Sequence, residues 1–288
     1  MENTRTKTTR NSLILLLTAA IWGMAFVSQS KGMDYMHPFT FNGVRSLIGA
    51  ASILVYILIS RKIAGDKAAP LDWKLNVKAG LLCGIFLTIA STLQQFGIKY
   101  TSVGKAGFIT TLYIIFVPMF GIFLKKKVAP VVWAAAVMAA VGMYLLCMTE
   151  SLRLGAGDIM VFLCAIAFAI QIMTVDHYAA GIDGAVVSCI QFTVCGVVCC
   201  IGALIWGQPT FGQLQEGLGA LLYAGVLSCG VGYTLQIVGQ KGLNPTVAAL
   251  IMSLESVIAT ISGWIAYKIG FLTTDQTLTA RQIAGCVS

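Results

Sequence analysis

Glu255 stands deep inside a long apolar run, the only acidic residue so placed, and Arg45 is the one basic residue comparably set in another. Ionisable groups within membrane-length apolar stretches are costly, which makes each a functional candidate by default. A carboxyl at Glu255 could hold a cationic group, exchange a proton, or pair structurally with Arg45. For Arg45 a coupling role competes with a structural one, in which a peripheral helix lets the long side chain reach toward an interface. Three glutamines follow. Gln94 and Gln236 fall at corresponding places near the mouth-ward part of their runs, and Gln171 sits inside another. Each amide carries donors and an acceptor that serve a ligand or a neighbouring helix equally well. Tyr113, Tyr233 and Trp22, the last mid-run beside Gly23, offer aromatic walls to a cavity, with packing or interfacial anchoring as the alternative. The candidate substrate-binding set is therefore Trp22, Gln94, Tyr113, Gln171, Tyr233, Gln236 and Glu255, with Arg45 as a structural or coupling residue.

Other chemistries lack their residues. His37 and His177 are isolated near expected loops, and neither HExxH, a paired-carboxylate cluster nor a Walker-type GxxxxGK[ST] is present. Cys83, Cys147, Cys164, Cys189, Cys195, Cys199, Cys200 and Cys229 lie in apolar runs without CxxC spacing, so they read as small packing residues rather than metal or redox sites. The expectation is a protein that is not an enzyme, uses no metal or cofactor, and is not driven by ATP through its own chain.

These residues need elements to position them, and composition says what kind. The chain is 58% hydrophobic and 10% charged, against about 45–50% and about 25% in soluble domains. Nine runs are long enough to cross a bilayer, near 12–30, 38–60, 77–98, 104–124, 129–148, 157–175, 185–206, 217–238 and 246–267. The first follows Arg5, Lys7 and Arg10 but lacks a small-residue cleavage site, so it is expected to be a retained helix. A tenth opens at Arg281-Gln282-Ile283-Ala284-Gly285 and is cut short at Ser288. The net charge of +8 comes from residues between the runs and forms no continuous basic face, which suits membrane topology and argues against nucleic acid. With the N-terminus inside, twelve Lys and Arg fall in cytoplasmic segments and six outside, most of the bias coming from the first half. That orientation, in a multi-pass protein of the plasma (inner) membrane, is the expected one.

The runs repeat. Residues 92–109 (TLQQFGIKYTSVGKAGFI) laid on 234–251 (TLQIVGQKGLNPTVAALI) match at seven of eighteen positions with a constant offset of 142, including Thr, Gln, Gly and Lys. Trp22 and Arg45 likewise correspond to Phe168 and Gln191, and Tyr113 occupies the repeat position of Glu255. Two halves follow, 1–150 and 151–288. With five spans each, an odd number, the second must enter from the opposite face. The expected fold is an all-α integral membrane protein, a ten-helix inverted repeat of five plus five with the tenth helix truncated. Inverted repeats place a site near the midplane that either side can expose in turn, which favours a small-molecule transporter over a receptor or a membrane-embedded enzyme.

The whole chain resembles the ten-helix EamA-type permeases of the drug/metabolite transporter superfamily. The likeness is carried by Ala20-Ile21-Trp22-Gly23-Met24-Ala25-Phe26, Pro38 and Arg45, Thr101-Ser102, Ala106-Gly107-Phe108-Ile109 and Val117-Pro118. In the second half it rests on Ala248-Ala249-Leu250-Ile251-Met252-Ser253-Leu254-Glu255, Leu278-Thr279 and Ile283-Ala284-Gly285. It departs where Ser256 replaces a common Pro after the glutamate, and where Lys125-Lys126-Lys127 replaces an acidic residue. The resemblance implies a permease for small polar metabolites, an exporter of amino acids or related compounds, with a homodimer contact through the terminal helix of each repeat. A nucleotide-sugar or phosphorylated-metabolite antiporter is the alternative within the superfamily.

Overall fold

The computed structural model describes residues 4–65, 70–123, 155–273 and Gln276, with six positions between 130 and 141. The described residues form eight membrane-length helices: α1 (Thr4–Gly32), α2 (Pro38–Ala64), α3 (Trp73–Ile98), α4 (Val103–Phe123), α5 (Ala156–Tyr178), α6 (Gly184–Gly207), α7 (Leu218–Gln240) and α8 (Pro245–Lys268). The fifth and tenth expected spans, and with them the terminal helices assigned to a homodimer contact, fall almost wholly outside the described residues.

Most of the helices start at a residue that favours it. Asp72, Ser102, Asp183 and Asn244 accept backbone N–H groups of the first turns of α3, α4, α6 and α8, and Pro38 and Pro245 open α2 and α8, where a missing N–H costs nothing. Within each half the connections are short, so α1 to α4 alternate in direction and so do α5 to α8.

Helix boundaries obey the repeat. Gly32 and Pro38 correspond to Tyr178 and Gly184 at an offset of 146; Ile98, Val103 and Thr110 correspond to Gln240, Pro245 and Met252 at 142. The change of offset places a four-residue deletion in the second half, somewhere between Gly184 and Gln240.

Packing shows how the halves are related. A Cβ at Gly43 would meet Cys200, one at Gly196 would meet Leu47, and one at Gly202 would meet Phe39, so α2 lies antiparallel to α6, its own repeat equivalent. The same holds for α4 and α8, where Gly104 faces Thr260 and Gly263 faces Val103. Antiparallel packing of equivalent helices is what a two-fold axis in the membrane plane produces, and it makes the repeat inverted. The ends of α4 and α5 agree with this. Lys105 near the start of α4 pairs with Asp158 near the start of α5 at 2.6 Å, so α4 finishes at the opposite end of the bundle from where α5 begins.

Helices of this kind gain little from hydrophobic burial against lipid and must approach closely instead. Gly80 and Gly84 seat Ile190 and Val194 of α6, while Gly225 and Cys229 of α7 meet Ile48 and Gly49 of α2. Under exchange of the halves these are one contact. Large apolar side chains such as Leu54, Leu58, Ile63 and Ile205 are left on the outer face, as a lipid-facing surface requires. Cys195 and Cys199 of α6 sit against Ser46, Ser91, Thr92 and Asn42, and among the described residues no three potential metal ligands cluster.

Candidate functional site

Two helices break at mid-membrane, at repeat-equivalent points. In α4 the hydroxyl of Thr111 donates to the Phe108 carbonyl at 2.8 Å; in α8 Ser253 donates to Leu250 at 2.8 Å, and 111 and 253 differ by the repeat offset. The next amides tighten to three-residue turns, Leu112 to Ile109 and Leu254 to Ile251. A hydroxyl that takes a carbonyl from the helix ladder competes with it, and here the competition divides Val103–Thr110 from Tyr113–Phe123 and Pro245–Met252 from Glu255–Lys268. No proline is needed, so the replacement of Pro by Ser256 does not cost α8 its break. Immediately after the breaks come Tyr113 and Glu255, whose Oη and Oε1 are hydrogen-bonded at 3.0 Å.

That pair forms part of the wall of a cavity of about 30 Å³ between the halves. All eight residues singled out from the sequence line it: Trp22 of α1, Arg45 of α2, Gln94 of α3, Tyr113 of α4, Gln171 of α5, Tyr233 and Gln236 of α7, and Glu255 of α8. Gln94 donates to Thr110 at 3.2 Å, Gln236 to Gln171 at 3.3 Å, and Gln171 onward to Gln191 at 3.4 Å. Trp22 lies 4.5 Å, centroid to centroid, from Tyr233, which meets Phe192 edge-on at 4.9 Å.

Gln94 and Gln236, one turn before the ends of α3 and α7, are buried in the cavity wall at the seam between the halves. One expectation about position is corrected. Arg45 does not reach for an interface. It is 5% exposed, its Nε donates to Asn42 at 3.0 Å, and its guanidinium lies 5.6 Å from the Phe41 ring. The face of α2 that bears Arg45 packs against α6 and α7, while the opposite face of the helix is the one turned outward.

The structure adds lining residues that the sequence reading passed over, among them Ala25, Phe26, Gln29, Thr110, Phe168, Ile172 and Ser228. Ala25 and Gln29 continue the helical face that bears Trp22, and Phe168 is the repeat equivalent of Trp22, so the spacing held a signal for these. Ser228 had none. It belongs to a ten-residue π-helical stretch of α7, Tyr223–Gly232, where the widened turn lets its carbonyl accept from Trp22 Nε1 at 3.4 Å. Such π segments recur at functional positions. The equivalent stretch of α3, residues 81–90, is ordinary α-helix.

A wider vestibule of about 570 Å³ opens at the end of the bundle that carries Arg61, Asp72, Asn76, Asp183 and Lys241. α7 is the wall common to both spaces: Thr234 and Val238 face the vestibule, Tyr233 and Gln236 the cavity.

A membrane-embedded inverted repeat with a polar midplane cavity is the architecture of a secondary transporter. The profile of the EamA-like transporter family matches residues 10–148 and 155–287, and the chain belongs to that family. Among curated relatives, an uncharacterized transporter of Archaeoglobus fulgidus is 30% identical over 171 residues, 57% of this chain and 48% of its own length. The uncharacterized transporter YwfM of Bacillus subtilis is 27% identical over 88% of this chain and 84% of its own. A solved crystal structure superposes with a TM-score of 0.70 at 16% identity, covering 97% of this chain and 93% of that one, and so shares the fold.

Proposed function

We propose that this transporter carries a small polar metabolite, an amino acid or related compound, outward across the plasma (inner) membrane by alternating access through the central cavity, with its N-terminus in the cytoplasm. The observation that carries the reading is the convergence of polar side chains from both repeats on one midplane cavity, beside two helices broken at equivalent points. At about 30 Å³ the cavity has room for a water molecule or two, so a solute is admitted only when helices part. The π segment of α7 and the regular α3 give the repeats unequal conformations, and exchanging those conformations is how an inverted repeat turns its site from one face to the other.

The vestibule end carries Arg61, Lys62, Lys74, Lys78 and Lys241; the opposite end carries Lys31, Lys99, Lys105 and Lys268. The excess supports a cytoplasmic vestibule, from which an exported solute would load past α7. A phosphorylated solute is disfavoured, since its two negative charges would meet only one cation in the cavity lining.

Purified protein in liposomes, without ATP, is expected to exchange a labelled metabolite drawn from a library across the bilayer. Stabilisation by a metabolite with no flux of it in either direction would replace the transporter reading with a receptor.

A further inference from the structure

Among the described residues, Arg45 and Glu255 are the only formally charged side chains lining the cavity, and they are not used on each other. Arg45 is 5% and Glu255 3% exposed, yet among the described residues no ion pair joins them. Two buried ions at mid-membrane would relieve one another by direct contact. Here each is instead held in place by a neutral partner. Asn42 takes the Arg45 Nε–H at 3.0 Å and Phe41 backs the guanidinium, which leaves the two terminal nitrogens without a hydrogen bond to the described residues. Tyr113 donates to Glu255 Oε1 at 3.0 Å, and Oε2 accepts nothing from the described residues.

The cavity thus presents a guanidinium fork and a carboxyl group from opposite repeats, each oriented and neither paired with the other. Guanidinium matches a carboxylate through two parallel N–H donors, and a carboxylate matches an ammonium. We infer that the cavity recognises a zwitterion, with the solute's carboxylate on Arg45 and its ammonium on Glu255, the solute itself supplying the bridge that the protein lacks. Two amide oxygens in the same lining, those of Gln29 and Gln236, are buried without partners and stand as further acceptors for the three N–H bonds of an ammonium. The zwitterion closes both charges at once, and a solute with one charge leaves the other ion bare. This inference rests on the transport reading for its biological sense, but it concerns binding and is tested by binding.

The test is thermal stabilisation of the purified full chain by a panel of zwitterionic amino acids, each beside its amide, which keeps only the ammonium, and its N-acetyl derivative, which keeps only the carboxylate. At least one zwitterion is expected to stabilise the protein, with both of its derivatives weaker by about tenfold to a hundredfold in apparent affinity, the cost of one unmatched charged hydrogen-bonding group. The Glu255→Gln variant should lose its advantage for the zwitterion over the N-acetyl compound, and Arg45→Gln its advantage over the amide. Equal response to a zwitterion and either derivative, or no response to any zwitterion in the panel, overturns the inference. The wild-type comparison decides even where a variant does not fold. Liposome flux of a singly charged or neutral solute would sink the zwitterion and leave the transport reading standing; no flux of any solute would sink the transport reading instead.

Discussion

Tyr113 donates a hydrogen bond to Glu255 at 3.0 Å, and the two residues occupy the same position in opposite repeats. Each follows a helix break made by a hydroxyl two residues earlier, so a symmetric backbone brings together an asymmetric pair, a phenol and a carboxyl. The asymmetry gives the site its chemistry: two glutamates there would repel, and two tyrosines would carry no charge. Tyr113→Phe keeps the ring and removes the donor. It should lower thermal stability by an amount near 1–2 kcal/mol, the worth of a buried hydrogen bond to a carboxyl, and weaken substrate binding by freeing Glu255 to reorient. Thermal unfolding and substrate titration of the variant measure both; unchanged binding would show that Glu255 is fixed without Tyr113.

Glu255→Gln keeps the shape and an acceptor for Tyr113 while removing the charge. Folding should survive, with unfolding temperature close to the wild type, and flux should fall at least tenfold. If Glu255 takes up and releases a proton during the cycle, wild-type flux varies with pH and the residual flux of the variant does not. The readout is flux across a pH series in liposomes with matched internal and external buffer. A variant that reproduces the wild-type profile takes Glu255 out of coupling.

The breaks themselves can be tested apart from the charges. Ser253→Ala removes the hydroxyl that takes the Leu250 carbonyl, and Thr111→Val does the same at Phe108. Because the hydroxyl competes with the ladder, stability should hold or rise by up to about 1 kcal/mol, the size of a typical local substitution effect. Flux should drop, since a straightened α8 re-aims Glu255. Loss of stability with intact flux would contradict a functional break.

How much of this was legible beforehand differs by feature. The constant offset between Gln94 and Gln236, read off identical residues, already fixed the repeat, and the rarity of Glu255 and Arg45 within apolar runs already marked them. Those signals survive in one dimension because periodicity and the cost of buried charge are local facts. Which way Arg45 points is not local. It depends on which face of α2 meets α6 and α7, a tertiary result, and the same holds for the burial of Gln94 and Gln236. The paired breaks were within reach, since Thr111 and Ser253 share the offset, but neither hydroxyl stands out from other Ser and Thr in the runs. The π segment of α7 was not readable, because the glycines it contains, Gly225, Gly230 and Gly232, do not by themselves set a π turn: α3 keeps regular α-helix through Gly80 and Gly84.

The ion pair between Lys105 and Asp158 tests the seam between α4 and α5. Asp158 is 4% exposed and fully engaged: Lys105 at 2.6 Å, Thr101 at 2.8 Å and the Gly155 amide at 2.9 Å. Asp158→Asn removes the charge but can keep the Thr101 and backbone contacts, leaving Lys105, itself part exposed, to find water. The expected loss is about 1–3 kcal/mol, the range for charge-assisted hydrogen bonds, read as a fall in unfolding temperature. Lys105→Gln should cost less, because it strands a carboxylate that still has two donors.

Close approach of α3 and α5 sets a stricter limit. Gly97 of α3 and Gly157 of α5 face each other, and a Cβ on either would come within 2.8 Å of the other's carbonyl oxygen. Backbone cannot move aside as a flexible side chain can, so Gly97→Ala or Gly157→Ala must push α3 from α5, at a cost of about 1–3 kcal/mol for overpacking. Gly23 of α1 is placed differently. A Cβ there would meet Ile258 at 2.6 Å and the Glu255 carbonyl oxygen at 2.8 Å, so Gly23→Ala displaces the residue that bears the candidate carboxylate. The first two variants are expected to lower unfolding temperature with substrate affinity preserved in the folded fraction, and Gly23→Ala to lower both. Equal loss of affinity in all three would mean that the cavity responds to the bundle as a whole, and that the α1–α8 contact has no special hold on Glu255.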